Sequence, residues 1–347
     1  MDSGGKSLWR EAWDELRQRR MIRGCLWCIL AFTLLAAYGE GVYRWCRLTD
    51  RTPPYQQVNL QERYLPPSVF RHPFSGGGRA GDSTVHLGEE RDRAGDSTVH
   101  LGGSCGTGGR VFVQGLRVLA HHPLGTDNLG RDVLQRVVQG TRIAFLVGVV
   151  TSLIAIPIGL VLGCLAGYFG GWVDEVVVWV YSTVACMPGL LFILAISMVV
   201  GKGLLGVYLG IGLTTWVGLC RLIRAEVMKH RDQAYVMAAR SLGYSPFRIV
   251  FRHILPNVFH LVIITFSLRF PSSIGTEVFM SFLGIGVQGE PSWGVMIGNA
   301  RLRLWQGIWW EMAAVTAAIL IVVLAFNLVG DALRDALDPR LRARGKG

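Results

Sequence analysis

Charge is what this sequence has least of. Only 17% of its 347 residues are Asp, Glu, Lys or Arg, against 51% hydrophobic, and that balance is foreign to an ordinary water-soluble enzyme. The deficit is concentrated. No charged residue occurs in 143–173, 176–201, 203–220 or 312–330, each near or beyond the length that crosses a hydrocarbon core of about 30 Å. Cysteine is also sparse, at 25, 28, 46, 105, 164, 186 and 220, without metal-ligand spacing. Cys25 and Cys28 read as small hydrophobes on an apolar helix, because no βαβ pattern surrounds them. Cys46 and Cys105 lie in a long polar segment and could pair if it faces an oxidising compartment. His121-His122 has no carboxylate at ligand spacing and reads as a loop. Neither an H-E-x-x-H helix nor a nucleophile elbow is present. The expected numbers of catalytic, cofactor-binding and metal-binding residues are therefore all zero.

What the chain has instead is positive charge, +11 formally, and its placement decides its meaning. Six basic residues precede the first apolar run, seven lie between Arg221 and Arg252, and five close the chain from Arg334 to Lys346. These clusters alternate with apolar runs as the positive-inside rule expects, not as a nucleic-acid stripe. Only Lys202, Arg301 and Arg303 fall in the short loops opposite. The expectation is an all-α integral membrane protein with six transmembrane helices and both termini cytoplasmic.

Residues 1–23 read as a cytoplasmic amphipathic anchor, with Leu8, Trp9, Ala12, Trp13 and Leu16 on one face. Residues 24–43 form the first span. Residues 44–120 form an extracytoplasmic, mobile insertion in which the decamer RAGDSTVHLG occurs at 79–88 and again at 93–102, a tandem duplication between Gly- and Ser-rich flanks. Residues 121–336 hold five further spans, and 337–347 are a basic cytoplasmic tail. An amphipathic helix at 129–138, capped by Asp127 or Asn128, should lie at the membrane edge. Span two follows over 143–168. Span three, 176–200, should kink at Met187-Pro188. Spans four, five and six are expected at 204–223, 258–285 and 312–329, the last flanked by Trp305, Trp309 and Trp310 as an aromatic belt.

The most informative polar segment is the loop 231–257 between spans four and five. Tyr235 to Leu242 favour a helix, Gly243 suits a left-handed stop, and Ser245-Pro246 is a cap with a first-turn proline. Phe247, Val250, Phe251 and Ile254 then give the next helix an apolar stripe. A short helix carrying Ala238 and Ala239 on its exposed side suits insertion into a partner's groove.

Ala238-Ala239, Gly243 and His253-Ile254-Leu255-Pro256 resemble the EAA signature of binding-protein-dependent ABC importer permeases. The strings at 122–137 (HPLGTDNLGRDVLQRV), 140–148 (GTRIAFLVG), 167–175 (GYFGGWVDE), 276–288 (TEVFMSFLGIGVQ), 291–294 (PSWG) and 327–342 (NLVGDALRDALDPRLR) are similar to the C-type subunit of the dipeptide/oligopeptide branch. Met237 stands where the signature has an acidic residue. The likeness covers about 7–45 and 120–342 and leaves out the duplicated decamers. It implies a coupling helix docking on separate ATPase subunits, with Tyr235, Ala238, Ala239, Arg240, Gly243 and Arg248 as the docking element. It implies as partners a homologous second permease subunit, two ABC ATPases, an extracytoplasmic solute-binding protein and the lipid bilayer of a bacterial inner membrane, and no nucleic acid. ATP would be bound and hydrolysed by the partners, leaving this chain without a cofactor.

The chain is consistent with that division of labour. The nearest approach to a Walker A motif, 76–83, has Asp82 where the phosphate-binding lysine belongs, and two G-x-G-x-x-G strings, 76–81 and 284–289, follow a loop and a helix rather than a strand. Within span five, Arg269 and Glu277 are costly intramembrane charges. Eight residues apart, they share a side of the helix without forming an ideal pair, and they are candidates to line the translocation path or meet the partner permease. Glu226 should pair with Arg224 or Lys229. A self-sufficient secondary transporter or channel is the competing reading; it would show inverted repeats or charge chains in several spans, and only span five has buried charges. An intramembrane enzyme lacks a nucleophile-base set.

Overall fold

The computed structural model describes residues 20–49, 52–67 and 122–337. Two compact units are formed, one of residues 1–57 and 135–347 and the other of 58–134. The architecture is helical, and the described residues contain no β-strand, only an isolated bridge between Thr126 and Asp132.

In the first unit, α1 runs over Arg20–Leu48, longer than the expected span because Glu40 and Arg44 pair one turn apart and carry the helix onward. Helix α2 covers Val133–Phe169 as one 37-residue piece. The separate edge helix expected at 129–138 is therefore not separate. Its capping residue is Asp132, whose carboxylate accepts the Leu134 N–H at 2.8 Å, not Asp127 or Asn128. No proline interrupts 133–143, so the amphipathic start simply runs on into the apolar span.

Helix α3, Gly171–Cys186, and α4, Gly189–Val200, meet at Met187-Pro188 with a bend of 92°. The expected kink is thus a right-angled break. A residue before proline is pushed out of the helical region, and Met187 is extended at ψ 138°. Helix α4 then folds against α5, Leu204–Thr214. Thr215 and Trp216 interrupt the run before α6, Val217–Arg231. Helix α7 is Ala234–Ser241, α8 is Pro246–Ile249, and a widened turn over Val250–Ile254 leads into α9, Leu255–Phe282. Helix α10, Trp293–Arg301, and α11, Trp310–Leu337, complete the unit. Among the described residues five helical runs are long and apolar enough to cross a membrane, six if the bent pair counts as one span.

Packing is set by small residues. On α2, Gly159, Gly163 and Gly167 recur every fourth residue and face the carbonyls of Trp216, Cys220 and Arg224, also four apart, on α6. A Cβ on any of the three would lie 2.8 Å from that carbonyl oxygen, so the helices approach as closely as backbones permit. Helices α2, α9 and α11 instead meet through aromatic rings: Phe270 stacks on Phe326 with centroids 4.2 Å apart, and Phe145 meets Phe270 edge-on at 5.2 Å. Helix α1 packs on α11, with Ile22 and Ala332 at the contact, and meets α2 where Gly39 faces Arg142.

In the second unit, Asp127 ties its own loop together, accepting the N–H groups of Leu129 and Arg131 and the Arg131 guanidinium. Thr126 bridges Glu62 and Leu65. His122 lies 3.3 Å from both Glu62 and Asp132, carboxylates that sequence spacing did not put beside it. Even so, no group of three or more His, Cys, Asp or Glu side chains suited to a metal occurs among the described residues. Residues 1–19 of the expected amphipathic anchor, the duplicated decamers, Cys105 and residues 338–347 of the basic tail lie outside the described residues, while 20–23 already belong to α1.

Candidate functional site

The segment 231–257 folds as a knuckle on the ends of α6 and α9. Helix α7 ends because Gly243 takes φ +78°, and its N–H and that of Tyr244 turn back to the Arg240 and Ala239 carbonyls at 2.9 and 3.2 Å, closing the helix in the manner of a glycine C-cap. Ser245 takes the extended cap conformation ahead of Pro246, but its hydroxyl makes no capping bond. Pro256 has no N–H to give the Arg252 carbonyl and its ring crowds that carbonyl. The widened turn over Val250–Ile254 lies immediately before this proline and relieves the conflict.

The knuckle is held from inside. Val236 and Ala239 of α7 are buried with Leu219, Ile223 and Val227 of α6, Cys164 and Tyr168 of α2, and Ile249, Val250, Ile254 and Val258 of the α8–α9 run. This corrects the expected docking face: Ala239 is buried in the chain's own core, while Ala238 alone of the pair is exposed. The expected apolar stripe also divides. Val250 and Ile254 turn inward, whereas Phe247 and Phe251 are 60% and 57% exposed. With Met237, Leu242 and Tyr244 they form an uncovered apolar surface, and Arg248 and Arg252 flank its shallow hollow. Tyr235 is exposed, its hydroxyl 2.9 Å from His230. Arg240 and Arg248, expected at a polar rim, are exposed and lie over the rings of Tyr168 and Tyr244.

Arg269 and Glu277 are not brought together. Arg269 on α9 donates to the carbonyl and hydroxyl of Thr215, at the interruption between α5 and α6, where a broken helix leaves carbonyls unpaired. It lines a cavity of about 230 Å³ with Thr215, Thr265, Ser272, Ser273 and Thr276. Glu277 does not line this cavity. It is fully buried and accepts a 2.7 Å hydrogen bond from Ser281, whose hydroxyl in turn accepts the Val287 N–H. Glu277 therefore pins the turn after α9 rather than presenting a charge to a path.

Three charged clusters escaped the sequence reading because their members are far apart in the chain. Arg136 and Arg303 both reach buried Glu311, Arg303 at 2.5 Å. Arg142 bridges Glu40 at 2.5 Å and Glu290 at 2.9 Å beneath the Tyr43 ring. Beside it, burial and the Glu290 charge push the Tyr55 phenol up to about 12. Arg224 is taken by Asp174 on α3, so the expected Glu226 pairing holds for Lys229 at 2.7 Å and not for Arg224.

The described surface thus offers an exposed apolar-basic knuckle and a hydroxyl-lined cavity within the apolar spans, joined by continuous helix. The family model described as binding-protein-dependent transport system inner membrane component matches residues 159–343, and that for the N-terminal TM domain of oligopeptide transport permease C matches 7–67. The dipeptide transport system permease protein DppC of Bacillus subtilis is 38% identical over 230 residues, covering 66% of this chain and 72% of that protein. The glutathione transport system permease protein GsiD of Pectobacterium atrosepticum is 38% identical over 64% of this chain and 74% of its own length. The oligopeptide transport system permease protein OppC of Bacillus subtilis is 36% identical over 64% and 72%. A solved chain of the MetNI methionine ABC transporter aligns at TM-score 0.43 and 18% identity, over 59% of this chain and 96% of that one, a likeness too slight to bear on the helix arrangement. The chain belongs to the family of binding-protein-dependent transport system inner membrane components, as a C-type permease of the dipeptide/oligopeptide branch.

Proposed function

We propose that this chain forms half of the pore of an ATP-driven importer for di- and oligopeptides or similar small solutes, and takes its energy through the knuckle around α7. The observation that carries the reading is the knuckle itself. Apolar groups that a monomer would hide, Met237, Leu242, Phe247 and Phe251, stand uncovered on a base whose own core is complete. A patch of this kind marks a protein contact. The partners are a homologous permease subunit, two ATPase subunits that bind and hydrolyse the nucleotide, and an extracytoplasmic binding protein. The knuckle and both termini face the cytoplasm of a bacterial inner membrane, in keeping with the basic clusters at 221–252 and 334–346. Closure of the ATPases moves the knuckle as a body, and helix packing turns that movement into exchange between outward- and inward-open states.

The test is Gly243→Val. No atom lies within 4 Å of the position a Cβ would occupy, so steric room is not at issue. A β-branched residue at φ +78° costs on the order of 1–2 kcal/mol and reshapes the turn. The variant is expected in the membrane at normal level, hydrolysing ATP with its partners but not importing peptide. Normal import would refute the coupling role.

A further inference from the structure

Among the described residues, Arg269 is the one cation on the wall of the cavity between α5–α6 and α9. It spends two donors on neutral oxygens of Thr215, and its Nε–H has no acceptor among the described residues. Other arginines among the described residues reach carboxylates: Arg142 has Glu40 and Glu290, Arg224 has Asp174, and Arg136 and Arg303 share Glu311. An intramembrane charge without a counter-ion is costly unless it faces water or a ligand. Among the described residues the rest of the wall is uncharged, the hydroxyls of Thr215, Thr265, Ser272, Ser273 and Thr276 standing beside apolar side chains. This is the composition of a site that supplies one charge and several adaptable donors. Its volume of about 230 Å³ falls below the roughly 300–1,000 Å³ of whole-ligand pockets, so it suits one end of a solute. Nor does Arg269 act only as a cap for the broken helix. A neutral donor would serve the Thr215 oxygens, and the lined cavity beside them would then have no purpose.

We infer that Arg269 and the hydroxyls of Ser272 and Thr276 form a subsite for a carboxylate of the passing solute, such as the C-terminal carboxylate of a peptide. The inference rests on the importer reading above. An anion supplies the missing acceptor and counter-charge together, and guanidinium–carboxylate pairs are the strong, directional case of such bonds. A carboxylate reaching the cavity neutralises the wall and leaves when the pore changes state, so the site stays weak and transient.

The test uses cells carrying the complete importer and labelled dialanine as free acid. Ser272→Asp puts a competing carboxylate one turn from Arg269, while Ser272→Ala leaves the charge unopposed. Uptake is expected to fall at least tenfold for Ser272→Asp and Arg269→Gln, and by less for Ser272→Ala and Arg269→Lys, which keep the positive charge unopposed. ATPase stimulation by the loaded binding protein should persist in all four. Equal uptake by the aspartate and alanine variants overturns the subsite and leaves the importer reading standing. Absence of uptake in wild type, for dialanine and for a panel of free-acid peptides, overturns both. A second measurement does not depend on transport. In the assembled complex, Ser272→Cys should react at least tenfold faster with a sulfonate-bearing methanethiosulfonate than with its trimethylammonium counterpart, each relative to its rate with a free thiol. Arg269→Gln should abolish that preference, and a preference unchanged by the substitution overturns the inference.

Discussion

Replacing Gly163 by alanine isolates what holds α2 to α6. The added Cβ would lie 2.8 Å from the Cys220 carbonyl oxygen and 2.9 Å from Cβ of Ile223, well inside ordinary contact, and the atoms it meets belong to backbone and to a stiff branched residue. Overpacking of that kind costs about 1–3 kcal/mol. Helix propensity acts in the opposite direction, because alanine in place of a mid-helix glycine gains about 0.8–1.0 kcal/mol. Gly41 in α1 provides the control, since no atom lies within 4 Å of its Cβ position. There the same substitution should stabilise by the propensity alone. The propensity cancels between the two variants, leaving a difference of about 1–3 kcal/mol due to contact. The assay follows from the site: Cys164 and Cys220 are buried at this interface, so, in a background with Cys25, Cys28, Cys46, Cys105 and Cys186 replaced by serine, a thiol-reactive dye reports the temperature at which α2 and α6 part. Gly163→Ala should label at a lower temperature than wild type, and Gly41→Ala at the same or a higher one. If both substitutions shift the transition equally in the same direction, the close approach of the two backbones is wrong.

Glu311→Gln should be severely destabilising, because it leaves the guanidiniums of Arg136 and Arg303, each under a tenth exposed, without their shared carboxylate. Breaking a buried ion group from one side costs about 3–5 kcal/mol, and membrane abundance on a blot reports it. Phe251→Asp, by contrast, should not alter abundance, as the ring is exposed. It should lower recovery of the ATPase subunits with the affinity-purified permease at least fivefold, and normal recovery would remove Phe251 from the docking surface.

The helical class and the membrane spans were legible because apolar runs without charge have no other stable use. The stop at Gly243 was legible because only local backbone chemistry decides it. What escaped was long-range. Ala239 resembles Ala238 in sequence, but 3.6-residue geometry points one to the core and the other outward, and only the position of α6 says which. The Arg136–Glu311–Arg303 group joins residues 175 positions apart, beyond any spacing rule. Glu277 and Arg269 were both recognised as expensive charges. Which one faces a cavity depended on the interruption at Thr215, which carries neither proline nor glycine to announce it. The α2 glycines recur every fourth residue, but nothing near them in the chain names the helix they face.

The widened turn at Val250–Ile254 makes Pro246–Phe282 a single helical run, and this has a mechanical consequence. From Pro246 to Arg269 is 23 residues, about 35 Å of helix at 1.5 Å per residue. A tilt of about 10° at the knuckle would sweep the Arg269 end sideways by about 6 Å, on the order of one helical pitch. The cavity wall is then the far arm of a crank. A small stroke applied at α7 and α8 would arrive, enlarged, at Arg269.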